Sequence, residues 1–291
     1  MEKFAQSRAL IEAARPGVVI AAAEPVPFED LALVHSPDYL ESIRGSTLAH
    51  DAEVRLGLPP CERLLTRCRL ETAGTVAAAR DALDDGIACN LGGGTHHAFS
   101  ARGEGYCVLN DVVVAIRALR RDEPHLRALV LDTDAHQGNG THALLAGDPL
   151  SFTYSIHVAK NYPSNKVAGT LDVGLPRFVE GSEFLDQLRA TVPEALARFP
   201  ADIVFWVSGA DPHRDDRFGQ MCLSTEDMME RDRFVIDAVL AAGTPLVVLY
   251  GGGYSRTPGL TSVFHANTIL AAAEACARRQ RPHPDALSRN T

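Results

Sequence analysis

The sequence predicts a single α/β domain, a parallel sheet with helices on both faces. Two observations carry this. Short apolar runs alternate with longer helical patterns, the order that βαβ units require. Four of those runs also end in loops rich in reactive or glycine residues. Residues 87–91 run into Gly92-Gly93-Gly94-Thr95-His96-His97, and 128–131 into Asp132-Thr133-Asp134-Ala135-His136-Gln137-Gly138-Asn139-Gly140. Residues 203–207 run into Ser208-Gly209-Ala210-Asp211-Pro212, and 246–249 into Tyr250-Gly251-Gly252-Gly253-Tyr254. Ligands of open parallel sheets bind beyond the carboxyl ends of the strands, so the four loops predict one shared site.

In chain order, residues 2–15 carry a helical pattern that stops at Arg15-Pro16-Gly17, and 18–22 read as a strand. Ser36 as N-cap and Pro37 at the first helical position open a helix over 37–44. A long helix covers 61–84 and ends at Asp85-Gly86. Asn110 or Asp111 caps a helix reaching 120. Strands near 128–132 and 151–156 follow, then a helix over 181–198 that stops before Pro200. Ser224, with Asp227 three residues later, opens a helix to about 242, and a final helix covers 260–278. No linker, repeat or low-complexity block divides the chain, so residues 1–277 are expected to form one domain and 278–291 a loose tail.

The 291 residues are 46% hydrophobic, enough for a substantial core. The net charge of −9 argues against sequence-independent nucleic-acid binding, which needs a basic surface. It suits a soluble protein and favours cationic ligands by steering. Six cysteines are scattered without a Cys-x-x-Cys pair, which fits reduced core residues and no zinc-finger spacing. The first eight residues lack a basic-then-apolar signal pattern, and no apolar run approaches the roughly 20 residues of a spanning helix. A cytoplasmic protein with no membrane partner is the expectation. Oligomeric state leaves no trace in the sequence.

The stretch after residues 128–131 is the most informative. Along an extended chain Asp132, Asp134 and His136 point the same way. Two carboxylates and an imidazole converging at a strand end make a candidate divalent metal site. An Asp- and Gly-rich turn between strand and helix is the competing interpretation.

With all four loops in view, the chain resembles the histone deacetylase superfamily, within the arginase/deacetylase fold. The matching pieces are His35-Ser36-Pro37-Asp38-Tyr39-Leu40, the His96-His97 pair, Gly105-Tyr106-Cys107-Val108-Leu109-Asn110-Asp111, residues 132–140, Gly209-Ala210-Asp211 and Gly251-Gly252-Gly253-Tyr254. They occur in the family's order over roughly residues 35–255. The His136-Gln137-Gly138-Asn139-Gly140 variant and Leu56-Gly57-Leu58-Pro59 look most like class IV and related bacterial members.

The resemblance implies a metal-dependent deacetylase. Asp134, His136 and Asp211 match the zinc ligands, one ion per chain, although such an oxygen-rich set also suits iron(II). His96 and His97 match the tandem histidines, one accepting a proton from the attacking water and one donating to the departing amine. Asp132 then supports His96 and Asn139 supports His97, fixing tautomer and orientation. Many relatives carry Asp where this chain has Asn139. A neutral amide stabilises the imidazolium of His97 less, so His97 is expected to be neutral at rest and to act as general base. Tyr254 matches the donor to the oxyanion of the tetrahedral intermediate, and Gly252, within its glycine run, lets backbone approach the substrate.

Gly105, Tyr106, Tyr162 and Phe218 fall where the family lines a narrow channel for a linear side chain. Ser155, Ile156 and His157 resemble the segment that, with Asp132, holds a structural potassium ion. The expected substrate is acyl-lysine in a protein or a small acylated amine. An arginase-like ureohydrolase is disfavoured because Gly138 stands where those relatives place another carboxylate. A non-catalytic acyl-amine binder is the alternative outside enzymes. The family's N-terminal edge strand and a loop near the site lie ahead of the position of Met1, which puts one wall of the pocket in question. Asp51 and Glu53 are the candidates for a rim acid.

Overall fold

The computed structural model describes residues 2–280. The amino-terminal part is helical: α1 Glu2–Ala14, α2 Phe28–Leu31, α3 Pro37–Arg44, α4 His50–Leu56 and α5 Glu62–Asp85. Then come β1 Ile87–Cys89, α6 Asp111–Asp122, β2 Ala128–Asp132, α7 Asn139–Leu145, β3 Ser151–Val158 and β4 Leu171–Leu175. The chain continues with α8 Gly181–Arg198, β5 Ile203–Val207, α9 Thr225–Ala241, β6 Leu246–Leu249 and α10 Leu260–Gln280.

All ladders are parallel, in the order β1-β6-β5-β2-β3-β4. From β2 the chain runs outward to β3 and β4, then returns to β5 on the other side of β2 and continues to β6. The connections leaving β2 and β5 therefore diverge and open a crevice between the carboxyl ends of these neighbours, where such sheets bind ligands. The pairing of Asp132 with Val207 brings the two ends level.

Strands β2, β5 and β6 are buried at every position, as parallel strands covered on both faces must be. Their alternating side chains feed two cores. Leu129, Leu131, Val204, Trp206, Leu246 and Val248 pack with α1, α8, α9 and α10. Ala128, Val130, Ile203, Phe205, Val247 and Leu249 pack with α3, α5 and α6.

The predicted caps form. Ser36 accepts from Tyr39 N, and Asn110 rather than Asp111 caps α6 by accepting from Val113 N. Ser224 and Asp227 bond reciprocally at the start of α9.

Four features differ from the sequence expectation. Residues 18–22 are not a strand: Val19 is 90% exposed, and the segment has no ladder partner among the described residues. Helices α2, α4 and α7 were not predicted. The first two are short, and α7 opens on Asn139-Gly140, which has poor helix propensity. Strand β4 was missed because it is a half-exposed edge interrupted by Gly174. Helix α10, expected to end at 278, runs on to Gln280, so the first residues of the expected tail are helical, and Arg278 pairs with Asp237 at 2.7 Å. The rest of the expected tail, 281–291, lies outside the described residues.

Candidate metal and catalytic site

The extended run expected over Asp132–His136 does not form. Backbone N–H groups bond back to the aspartates instead: Asp134 N donates to Asp132 Oδ1 and His136 N to Asp134 Oδ1, each at 3.0 Å. These local turns send Asp132 and the pair Asp134/His136 to different partners. Asp134 and His136 turn toward Asp211 at the end of β5. The three ligand atoms lie within 4.8 Å of one another, and all three residues are buried. His136 Nδ1 is 2.8 Å from Asp211 Oδ2 and 3.1 Å from Asp134 Oδ1. Its Nε2 donates to Phe218 O at 3.2 Å, which leaves the Nδ1 lone pair facing the carboxylates.

Two carboxylates and one neutral imidazole balance a dication and suit zinc or iron(II) in an open coordination sphere. The electrostatics fit that need. Burial raises the Asp211 carboxyl to about 7, with repulsion from Asp134 adding to it. Burial works against a charged His136, but its bonds to Asp134 and Asp211 outweigh it and lift the imidazole well above its ordinary value. Both shifts mark a site whose uncompensated negative charge a bound cation would offset. Gly252 N donates to Asp134 Oδ2 at 2.7 Å, and a Cβ on Gly252 would come within 2.7 Å of both carboxylates.

The tandem histidines lie beside this cluster with ring centroids 4.1 Å apart. Asp111 holds their loop, accepting from Gly94 N, Thr95 N, Thr95 Oγ1 and Thr75 Oγ1 at 2.5–3.0 Å. His96 Nδ1 is 2.6 Å from Asp132 Oδ2, and its Nε2 is 3.8 Å from Asp134 Oδ1. Burial opposes a charge on His96, yet Asp132 and Asp134 prevail and raise it to about 9. His97 Nδ1 is 2.7 Å from Asn139 Oδ1. Burial, then the neighbouring His96 and His136, push His97 well below its ordinary value, and the amide offsets this only in part.

Above the buried cluster stand four aromatic rings, each more than a third exposed: Tyr106, Tyr162, Phe218 and Tyr254. Tyr162 packs edge-on against His97 at 5.0 Å, and Tyr254 contacts Tyr106 at 5.5 Å and Phe218 at 5.4 Å. Gly105, at φ 55°, lies against His97, where a Cβ would come within 2.7 Å of Cδ2. Tyr106 is held at φ 67°, an unfavourable region that its N–H bond to Leu56 O (2.8 Å) helps maintain. Burial raises the Tyr254 hydroxyl pKa, so it keeps its proton. Ser155 pairs with Asp132 in the β2–β3 ladder, and its Oγ is 3.1 Å from His157 Nδ1. Asp51 and Glu53 lie on exposed α4, where Asp51 pairs with Arg55 at 3.5 Å.

A profile of the histone deacetylase domain matches residues 2–269. The chain belongs to the histone deacetylase family. Membership supports a deacetylase-type hydrolase. An uncharacterised protein of Picosynechococcus is 38% identical over 226 residues, 78% of this chain and 75% of that protein. Histone deacetylase 2 of Arabidopsis thaliana is 30% identical over 237 residues, covering 78% of this chain and 61% of its own length. The acetoin utilization protein AcuC of Staphylococcus aureus is 29% identical over 247 residues, covering 77% and 63%. This deacetylase-family chain thus spans less than two thirds of the last two. The crystal structure of an HDAC homolog complexed with SAHA superposes with a TM-score of 0.76 at 22% identity, covering 95% of this chain and 82% of that one. The HDA15 HD domain does so with 0.76 at 19%, covering 95% and 83%. Both share the fold.

Four residues of this histone deacetylase domain escaped the sequence analysis. Asp216 accepts from Phe218 N, Gly219 N and Tyr254 N at 2.5–3.0 Å, tying two sides of the aromatic ring together. Arg231 bonds Ser208 O and Gly209 O just ahead of Asp211. Glu104 reaches Asn139. Lys3, from α1, places Nζ 5.4 Å from the Tyr254 ring; burial lowers its pKa against the pull of Glu71, Asp211 and Asp134. The Asp216-x-Phe218-Gly219 turn had a sequence signal. The other three act across the fold and had none.

Proposed function

We propose that the chain is a zinc-dependent amidohydrolase that removes an acetyl or longer acyl group from an amine, either acyl-lysine in a protein or a small acylated amine, in the cytoplasm. The observation that carries this is the buried Asp134/His136/Asp211 cluster with two histidines beside it and exposed aromatics above it. A bound zinc, or iron(II), supplies a Lewis acid and acidifies a water molecule. A potassium ion beside Asp132 and residues 155–157 belongs to the same proposal.

The chain's own residues do the rest. The aromatic walls exclude water around an alkyl chain and present its amide to the cluster. His97, neutral at rest, accepts the water's proton at Nε2. His96 holds a proton near neutrality and delivers it to the departing amine. The Tyr254 hydroxyl donates to the developing oxyanion.

These assignments set the pH dependence. A base with its pKa well below 6.5 stays free through neutrality, so the acidic limb of kcat/KM lies below about 6.5. Asn139→Asp gives His97 an anionic partner, raises its pKa and moves that limb upward. An unmoved limb would remove His97 from the role of base.

Release of free amine by zinc-reconstituted protein tests the function. The panel is an acetyl-lysine peptide, a long-chain acyl-lysine peptide and an acetylated polyamine. Turnover is expected, with Tyr254→Phe slower by on the order of 10²–10³. No turnover with one tightly bound metal per chain would favour a binding role. A two-metal ureohydrolase conflicts with Gly138, where even a Cβ would come within 2.5 Å of Asp132 Oδ2.

A further inference from the structure

Glu104 comes just before the Gly105-Tyr106 turn, and its side chain is only 12% exposed. Its Oε1 accepts from Asn139 Nδ2 at 3.0 Å and from the Tyr162 hydroxyl at 3.1 Å, while Oε2 is 3.3 Å from Arg102 Nε. An ionised carboxylate only accepts hydrogen bonds. Asn139 must therefore turn its NH₂ toward Glu104 and its carbonyl toward His97. A carbonyl 2.7 Å from His97 Nδ1 requires a hydrogen on Nδ1. In a neutral imidazole that leaves Nε2, on the opposite edge of the ring, bare.

We propose that Glu104 is a positioning residue that selects the tautomer of His97 through Asn139 and, by a separate bond, holds the ring of Tyr162 in the channel wall. It rests on the deacetylase assignment for its effect on rate. The tautomer itself is a property of the chain. Without the carboxylate, the Asn139 amide is free to turn over and offer its NH₂ to His97 Nδ1. That places the ring hydrogen on Nε2, the nitrogen that must take up a proton. The same oxygen fixes the ring of Tyr162, which stands 5.0 Å from His97 and 6.2 Å from His136.

The test uses the zinc-reconstituted full-length chain labelled with ¹⁵N-histidine. His97 is assigned with a His97→Gln variant, and its tautomer is read from the imidazole nitrogen shifts. The native chain should show the Nδ1–H form. Glu104→Leu should show a mixed or Nε2–H form, with kcat on an acetyl-lysine peptide reduced about 10–100-fold, as for other residues that orient an active-site group. Glu104→Gln keeps a carbonyl that can accept from both partners, so it should restore the Nδ1–H form and most of kcat. Tyr162→Phe should raise KM and leave the tautomer alone.

An unchanged His97 tautomer in Glu104→Leu would overturn the proposal. So would equal loss in Glu104→Gln and Glu104→Leu, or a tautomer change in Tyr162→Phe. The tautomer is read without substrate, so an inactive native chain would refute the deacetylase assignment and leave this result to stand or fall separately.

Discussion

Asp211→Ala is expected to give a folded chain that takes up no metal and releases no amine. Asp211 is the one member of the cluster supplied by the loop after β5. Its Oδ2 faces His136 Nδ1 and its Oδ1 accepts from Ala135 N at 2.9 Å. Losing it removes a ligand and a unit of negative charge together. The activity loss should exceed the ~100-fold upper end seen when only a ligand's partner is removed. Burial and Asp134 already hold the Asp211 carboxyl up at about 7, so its ionisation weakens the metal-free fold as pH rises from the unfolded carboxylate range toward 7. The metal-free variant loses that ionisation together with the bonds to His136 and Ala135 N, so its melting temperature should vary less with pH between about 4 and 7 than the native chain's. The native chain should gain about 2.7 kcal/mol at zinc 100-fold above Kd, and the variant nothing. Elemental analysis and melting with and without zinc read both effects. Retention of one zinc per chain would exclude Asp211 as a ligand.

Arg231→Met is expected to cost about 3–5 kcal/mol in denaturant unfolding. The guanidinium is 1% exposed, bonds Asp232 Oδ1 at 2.7 and 2.9 Å, and donates to Ser208 O and Gly209 O at 2.7 and 2.8 Å. Its removal leaves buried Asp232 with Thr268 Oγ1 as its remaining bonded partner and takes the guanidinium donor from Gly209 O, while Ser208 O keeps Thr133 Oγ1 at 2.8 Å. Arg231→Met with Asp232→Leu should recover part of the loss, because the orphaned charge leaves with its partner. Those carbonyls lie just before Asp211, so zinc affinity should fall along with stability. A cost under about 1 kcal/mol would show that water replaces the guanidinium.

The sheet and the metal cluster were legible because each leaves a local mark. A buried parallel strand is a continuous apolar run, and a catalytic loop at its end interrupts that run with His, Asp or Gly. The caps at Ser36, Asn110 and Ser224 were legible for the same reason. The segments missed had weak local chemistry: α7 begins with two poor helix formers, β4 is half exposed, and 18–22 has strand-like residues but no ladder partner among the described residues. The turn through Asp132–His136 was misjudged because an alternating pattern does not reveal that each N–H will bond back to the aspartate two residues before it. Glu104, Arg231 and Lys3 act on residues of other elements, and a contact across the fold leaves no periodicity to find.

The order of strands in the sheet also constrains how the molecule comes to exist. His136 and Asp211 are separated by 75 residues of chain, and all of β3, β4 and α8 lie between them. A nascent or half-collapsed chain offers an ion the two ligands that follow β2 and nothing from β5. Closing that long loop is an entropic cost met by strand docking. On the proposed metal-dependent function, capture of the ion would follow the docking of β5 and so report completed assembly.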